Sequence, residues 1–155
     1  MDINGAIRRG ELMDIMEMVE ATPSIVNQKD EKGFTPLIMS TYCSQPEIAK
    51  YLLEQGADIN AQDSAGNTAL MGVCFKGHVD IALLLINNGA DLNIVNFNNA
   101  TALIYAATFG KKDIVELLVS KGADKTIKDK RGNTALDHAQ FQGMEALITL
   151  LKEKG

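Results

Sequence analysis

DSAGNTALMGVCFKGHVDIALLLINNGADLNIV, residues 63–95, is 33 residues long, and its pattern recurs along the chain. Asp30, Asp63, Asn96 and Asp129 open four segments at that unbroken spacing. Thr35, Thr68, Thr101 and Thr134 keep register within them, as do Leu37, Leu70, Leu103 and Leu136. Gly56-Ala57-Asp58, Gly89-Ala90-Asp91 and Gly122-Ala123-Asp124 repeat in phase, and Gly155 stands in the same glycine column. A repeat at a fixed period in this range means that one small unit is stacked several times. Within the quoted unit, Asp63-Ser64-Ala65-Gly66 is turn chemistry, with glycine free to take positive φ. Thr68 is placed to cap a helix through Ala69, Leu70, Met71, Val73 and Cys74, which Lys76-Gly77 closes. A second helix runs from about His78 through Ile81, Ala82, Leu84 and Leu85 and stops before Gly89. In the preceding unit Pro36 follows the Thr35 cap at the first helical position, where a missing N–H costs nothing.

Helices of roughly ten residues do not stand alone in water. Each unit must therefore bury its apolar face against its neighbours, and the chain becomes a quasi-one-dimensional stack. Two substitutions respect the geometry. Asn99 occupies a glycine column of the hairpin, and asparagine tolerates the left-handed region. Ser44 replaces the inter-helix glycine, and Pro46 immediately restarts a helix.

The motifs TPL at Thr35–Leu37, TAL at 68–70, 101–103 and 134–136, Gly77-His78, and Gly89-Ala90-Asp91 with Asn93 resemble the ankyrin repeat. The resemblance covers essentially all 155 residues. It implies an all-α solenoid of helix-turn-helix units joined by β-hairpin-like loops. One domain is expected over 1–155: an N-terminal cap over 1–29, full repeats at 30–62, 63–95 and 96–128, and a C-terminal capping repeat at 129–155. The usual histidine after the TPL motif is replaced by Ile38, Met71, Ile104 and Asp137. In the cap, helices are expected to end at Ala6–Gly10 and to run over Leu12–Val19, with Met13, Met16 and Glu20 facing outward. A last helix is expected over Met144–Lys152, finished by solvated Lys152-Glu153-Lys154. With a cap at each end, the domain is expected to be complete.

Composition narrows the function. Six residues, Ile81–Ile86, make the longest apolar candidate, far short of a membrane span. The N-terminal stretch lacks the apolar core of a signal peptide. Two cysteines are not a disulfide framework. Cys43 and Cys74, on first helices of adjacent units, are expected about 8–10 Å apart, beyond the roughly 7 Å between Cα atoms that a disulfide spans. A reducing, cytoplasmic location follows as the expectation. The net charge is −5, and residues 1–62 alone carry five Lys and Arg against ten Asp and Glu. An acidic chain without a basic stripe is a poor nucleic-acid binder.

No constellation for catalysis converges. His78 is expected to make a helix-start hydrogen bond, and His138 lies two units away. Neither has metal-ligand spacing with Cys43 or Cys74. Asp58, Asp91 and Asp124 are each the turn residue of their own motif, and no phosphate-cradling GxxxxGK loop is present. The expectation is a non-enzyme without cofactor or metal.

The ankyrin resemblance implies a concave binding face formed by the second, third and fifth positions of each repeat with the thirteenth and fourteenth. All five phenylalanines of the chain fall in those columns: Phe34, Phe75, Phe97, Phe109 and Phe141. Tyr42 joins them, whereas Tyr51 and Tyr105 fall in core columns. Aromatic residues and arginine dominate binding hot spots. The expected contact set is therefore Phe34, Tyr42, Phe75, Phe97, Phe109 and Phe141, with Lys32, Lys76, Asn98 and Arg131 beside them. An alternative use of the same rings is to bridge neighbouring repeats and stiffen the stack. The expected activity is recognition of a protein partner, by a monomer that touches neither nucleic acid nor membrane and acts as adaptor or scaffold. Two alternatives stay open. One is a dedicated, immunity-type inhibitor masking one enzyme; the other is a substrate of asparaginyl hydroxylation, since Asn60 and Asn93 resemble ankyrin asparagines so modified.

Overall fold

The computed structural model describes residues 2–153; the expectations placed on Lys154 and Gly155 lie outside that range. Ten α-helices alternate between two layers, and the described residues contain no β-strand. The inner layer holds α1 (Ile3–Arg9), α3 (Pro36–Tyr42), α5 (Ala69–Lys76), α7 (Ala102–Thr108) and α9 (Ala135–Phe141), each packed on the next. The outer layer holds α2 (Leu12–Ala21), α4 (Pro46–Glu54), α6 (Val79–Asn87), α8 (Lys112–Ser120) and α10 (Glu145–Lys152). A short 3-10 turn over Pro23–Asn27 stands where the other units carry their Gly-Ala-Asp motif. Met13 and Met16 are exposed on α2, on the outer side of the stack.

The inner helices start as their sequence dictates. Thr35, Thr68, Thr101 and Thr134 lie in extended backbone, and each hydroxyl accepts from the N–H three residues on, at 3.1–3.3 Å. Loss of the histidine after the motif leaves these caps intact, and Asp137 completes a capping box with Thr134. Ser44 and Asn99 take φ of 57° and 59°, in the left-handed region that glycine occupies in the other repeats. Leu37, Leu70 and Leu103 are buried between inner helices, and Leu52, Leu85 and Leu118 are wholly buried beneath the outer ones. Leu136 in the last repeat is only half-buried, because no inner helix follows it among the described residues.

Two ladders set the spacing from one unit to the next. At the hairpin tips, Ser64 N–H donates to Lys32 C=O, Phe97 N–H to Ala65 C=O, and Lys130 N–H to Asn98 C=O, each at 3.1 Å. Gly33 and Gly66 permit this approach. The next hairpin's backbone nitrogen lies 2.7 and 2.8 Å from where their Cβ would stand. At the opposite end of the repeat, Asn27 Oδ1 accepts from Asp58 N–H, Asn60 Oδ1 from Asp91 N–H, and Asn93 Oδ1 from Asp124 N–H, at 2.7–2.9 Å. Asp58, Asp91 and Asp124 each fold their own turn through Oδ1, the structural role expected of them.

Inside each hairpin, the opening residue accepts two backbone N–H groups on one side-chain oxygen. Asp30 holds Lys32 and Phe34, Asp63 holds Ala65 and Asn67, Asn96 holds Asn98 and Ala100, and Asp129 holds Arg131 and Asn133. Burial pushes the Asp129 carboxyl up. The His138 ring nitrogen at 2.8 Å and the two backbone N–H groups outweigh that and hold it below the usual carboxylate range. A carboxyl with a lowered folded pKa contributes its full stability above its unfolded pKa, about 3.9, and loses it as pH falls through the folded value. Asp129→Asn keeps the Oδ1 acceptor, as Asn96 does one repeat earlier. Urea unfolding at stepped pH is expected to show a smaller loss of stability in Asp129→Asn than in wild type below about pH 4; equal slopes would contradict this role.

Candidate functional site

Along the side where the hairpins meet the inner helices, the first-repeat, second-repeat and third-repeat units enclose a groove of about 340 Å³. Its walls are aromatic: Phe34, Tyr42, Phe75, Tyr105 and Phe109 all line it, with Asp63 among them. Phe75 at the end of α5 and Phe109 at the end of α7 meet edge to face, with centroids 4.7 Å apart and planes at 89°. Phe109 in turn stacks at 6.1 Å on Tyr105, which stands one helical turn before it. The Lys76 ammonium sits over the Tyr42 ring, 4.2 Å from its centroid.

The expected contact residues do not all behave alike. Tyr42, Phe75, Phe97, Phe109 and Phe141 are 43–70% exposed, an unusual number of large rings in water for one small chain. Lys32, Lys76, Asn98 and Arg131 are exposed beside them. Phe97 sits on a hairpin tip, and Phe141 packs edge-on against His138 at the last repeat. Phe34 departs from the expectation. It occupies the fifth column, which turns toward the helices, and its ring is half-buried against the cores of both the N-terminal units and the middle of the stack. Tyr105, assigned to a core column, lies half-buried on the groove wall instead. Its hydroxyl accepts from Asn96 Nδ2 at 2.9 Å, which also donates to Asn67 Oδ1.

His78 departs from its expected helix-start role, and His138 has a carboxylate partner of its own. His78 makes no capping bond to its own helix; its Nε2 lies 2.8 Å from Ser44 Oγ and ties two repeats together. His138 Nε2 lies 2.8 Å from Asp129 Oδ2, while its sequence neighbour Asp137 accepts from Thr134 N–H. Cys74 is wholly buried, and burial pushes its thiol far above the usual range, so it is a packing group. Asn60 and Asn93 commit their side-chain oxygens to the next repeat. Among the described residues no group of three or more His, Cys, Asp and Glu converges, and no helix is long and apolar enough to cross a membrane.

One groove residue is conspicuous for what it omits. The tenth column carries Met39, Tyr105 and His138 in three repeats but Gly72 in α5. A Cβ at Gly72 would meet no atom within 4 Å, and its φ is not in the left-handed region, so neither space nor backbone demands glycine.

The family models agree with this architecture. Residues 70–155 match ankyrin repeats in three copies, and residues 18–71 match ankyrin repeats in many copies. The chain belongs to the ankyrin-repeat family. It is 38% identical over 58 residues to the human DNA-binding protein RFXANK, covering 37% of this chain and 22% of that protein. It is 33% identical over 57 residues to BTB/POZ domain-containing protein 3 of Schizosaccharomyces pombe, covering 37% of this chain and 11% of the other. The matched stretch is thus under a quarter of each relative's length. Ankyrin repeats are in general modules of protein–protein interaction.

Two measurements follow from the groove. Glycine inside a helix is worse than alanine by about 0.5–1 kcal/mol where the backbone suits both. Gly72→Ala is therefore expected to stabilise the chain by that amount in denaturant unfolding; a loss of stability would mean the position is sterically constrained. A double-mutant cycle on Phe75→Ala and Phe109→Ala is expected to give a coupling of about 0.5–1.5 kcal/mol, as for an edge-to-face pair. Zero coupling would mean the rings do not meet in solution.

Proposed function

We propose that residues 1–155 form one non-catalytic domain that binds a protein partner on its hairpin and inner-helix face, as an adaptor or scaffold. The observation that carries this reading is the row of half-exposed rings, Tyr42, Phe75, Phe109 and, beyond the groove, Phe97 and Phe141. Contiguous apolar surface of this kind marks interaction sites on proteins. Partly exposed rings held by edge-to-face and stacked neighbours lose little side-chain freedom on binding, which is what makes aromatic anchors effective. Phe34, more deeply seated, supports the groove floor, while Lys32, Lys76, Asn98 and Arg131 supply the polar rim.

The domain works as a monomer in the cytoplasm, without cofactor or metal and without contact to membrane or nucleic acid. The similarity to a protein named as DNA-binding spans only ankyrin repeats and gives no reason to assign DNA binding to this chain. Its net charge of −5 opposes a phosphate backbone.

The test is affinity capture from the source lysate, comparing wild type with Phe75→Ala/Phe109→Ala, both verified as folded. Half-exposed rings are expected to cost less than the 3 kcal/mol or more per site of buried ones. A protein retained by wild type and lost by the double variant is the expected result. Equal retention by both would move the binding site to another face of the stack.

A further inference from the structure

We propose that the groove at Gly72 is a socket for a single cationic side chain, lysine or arginine, presented by the protein partner. The inference rests on the protein-binding reading above and specifies the chemistry of its anchor. Four hairpins use the same opening residue, and in three of them its second side-chain atom is already engaged. Asp30 Oδ2 accepts from Asn4 Nδ2, Asn96 Nδ2 donates to Tyr105 and Asn67, and Asp129 Oδ2 meets His138. Tyr105 and His138, which supply two of those contacts, both stand in the tenth column. In the second repeat that column holds Gly72, and among the described residues Asp63 Oδ2 has neither a hydrogen-bond donor nor an ion-pair partner. The absent side chain leaves open space over Gly72, and Asp63 lines the same groove. In the third and fourth repeats the second side-chain atom of the opening residue meets the tenth-column side chain, which is the direction we assign to Asp63 Oδ2.

The lining selects among possible occupants. An apolar anchor would fill the space but strip water from Asp63 Oδ2 without replacing its hydrogen bond, which is unfavourable. An acidic anchor would be repelled. A lysine or arginine lays its apolar stem along Phe34 and Phe75 and brings N–H donors to the carboxylate, forming a charge-assisted hydrogen bond. Aromatic rings also attract a cationic head, and the chain already shows one such contact in Lys76 over Tyr42. The surroundings favour approach of a basic segment as well. Residues 1–95 carry six Lys and Arg against thirteen Asp and Glu, which steers a positively charged partner toward this half of the stack.

The neighbouring repeats supply the variants. Asp63→Asn keeps the acceptor that folds the hairpin, as Asn96 does in its own repeat, removes the charge and turns the second acceptor atom into an N–H donor. Gly72→Tyr places in the second repeat the residue that the third repeat carries at Tyr105. Asp80→Asn, on the exposed outer side of α6, controls for net charge. A random-peptide phage library is selected on wild-type protein, and synthetic copies of the enriched peptides are titrated by fluorescence polarisation against all three variants and Phe75→Ala/Phe109→Ala, each checked by melting temperature. The expected result is a lysine or arginine at one fixed position of the enriched peptides. Affinity is expected to fall about tenfold or more in Asp63→Asn and Gly72→Tyr and to stay unchanged in Asp80→Asn. Peptides that lack a fixed basic residue, or that keep their affinity in Asp63→Asn while losing it in the double phenylalanine variant, would overturn the cationic socket and leave the aromatic face standing. Peptides insensitive to every groove variant, or no enrichment at all, would overturn both.

Discussion

One side-chain oxygen shapes each hairpin, and the rest of the stack depends on it. Asp30, Asp63, Asn96 and Asp129 each bind two backbone N–H groups of their own loop, which fixes where the loop's tip lies. Only with the tips so placed can each one donate to a carbonyl of the tip before it. The Thr caps follow directly in sequence, so loop geometry also sets where each inner helix begins. Apolar burial between helices supplies most of the cohesion, but burial is non-directional, and these polar contacts are what give the repeats a common register.

The opening residue has a second side-chain atom, and its use differs from repeat to repeat. Where Tyr105 or His138 in the tenth column reaches it, the loop is bolted to its own helix; at Gly72 no side chain is there to do so. The same architecture thus ties the opening residue to its own inner helix at the third and fourth repeats and not at the second. Aromatic rings line the opening because the thirteenth column brings Tyr42 and Phe75, and the fourteenth Phe109, to the ends of consecutive inner helices. Phe75 and Phe109 touch across the repeat boundary while remaining half-exposed. Bridging repeats and presenting a surface are therefore compatible uses of the same rings.

The architecture was legible because its signals are periodic. The 33-residue register, the Thr caps and the left-handed positions of Ser44 and Asn99 each follow from local chemistry repeated in phase. The candidate site was legible only in part. A column tells which way a residue faces on average, so five of the six expected rings are exposed. The columns do not set exposure: Phe34 lines the groove but is half-buried, and Tyr105, from a core column, reaches the groove wall. His78 paired across repeats because the partner, Ser44, is itself a departure from the family pattern. The groove's distinctive feature is an absence, and it comes into view only when the tenth column is read downward as Met39, Gly72, Tyr105, His138 beside the first column's hydrogen-bonding needs. Periodicity encodes what repeats share; a site lies in what one repeat lacks.

The ladder of hairpin tips has a mechanical meaning. Its three backbone bonds, one at each junction between successive hairpins and all of the same length, are connected in series along the stacking direction. A pull on the two ends loads every junction with the full force, so extension is shared while rupture is decided by the weakest link. A ligand lodged between the first and third repeats would act as a splint across two of those junctions, making the stack stiffer when occupied than when empty.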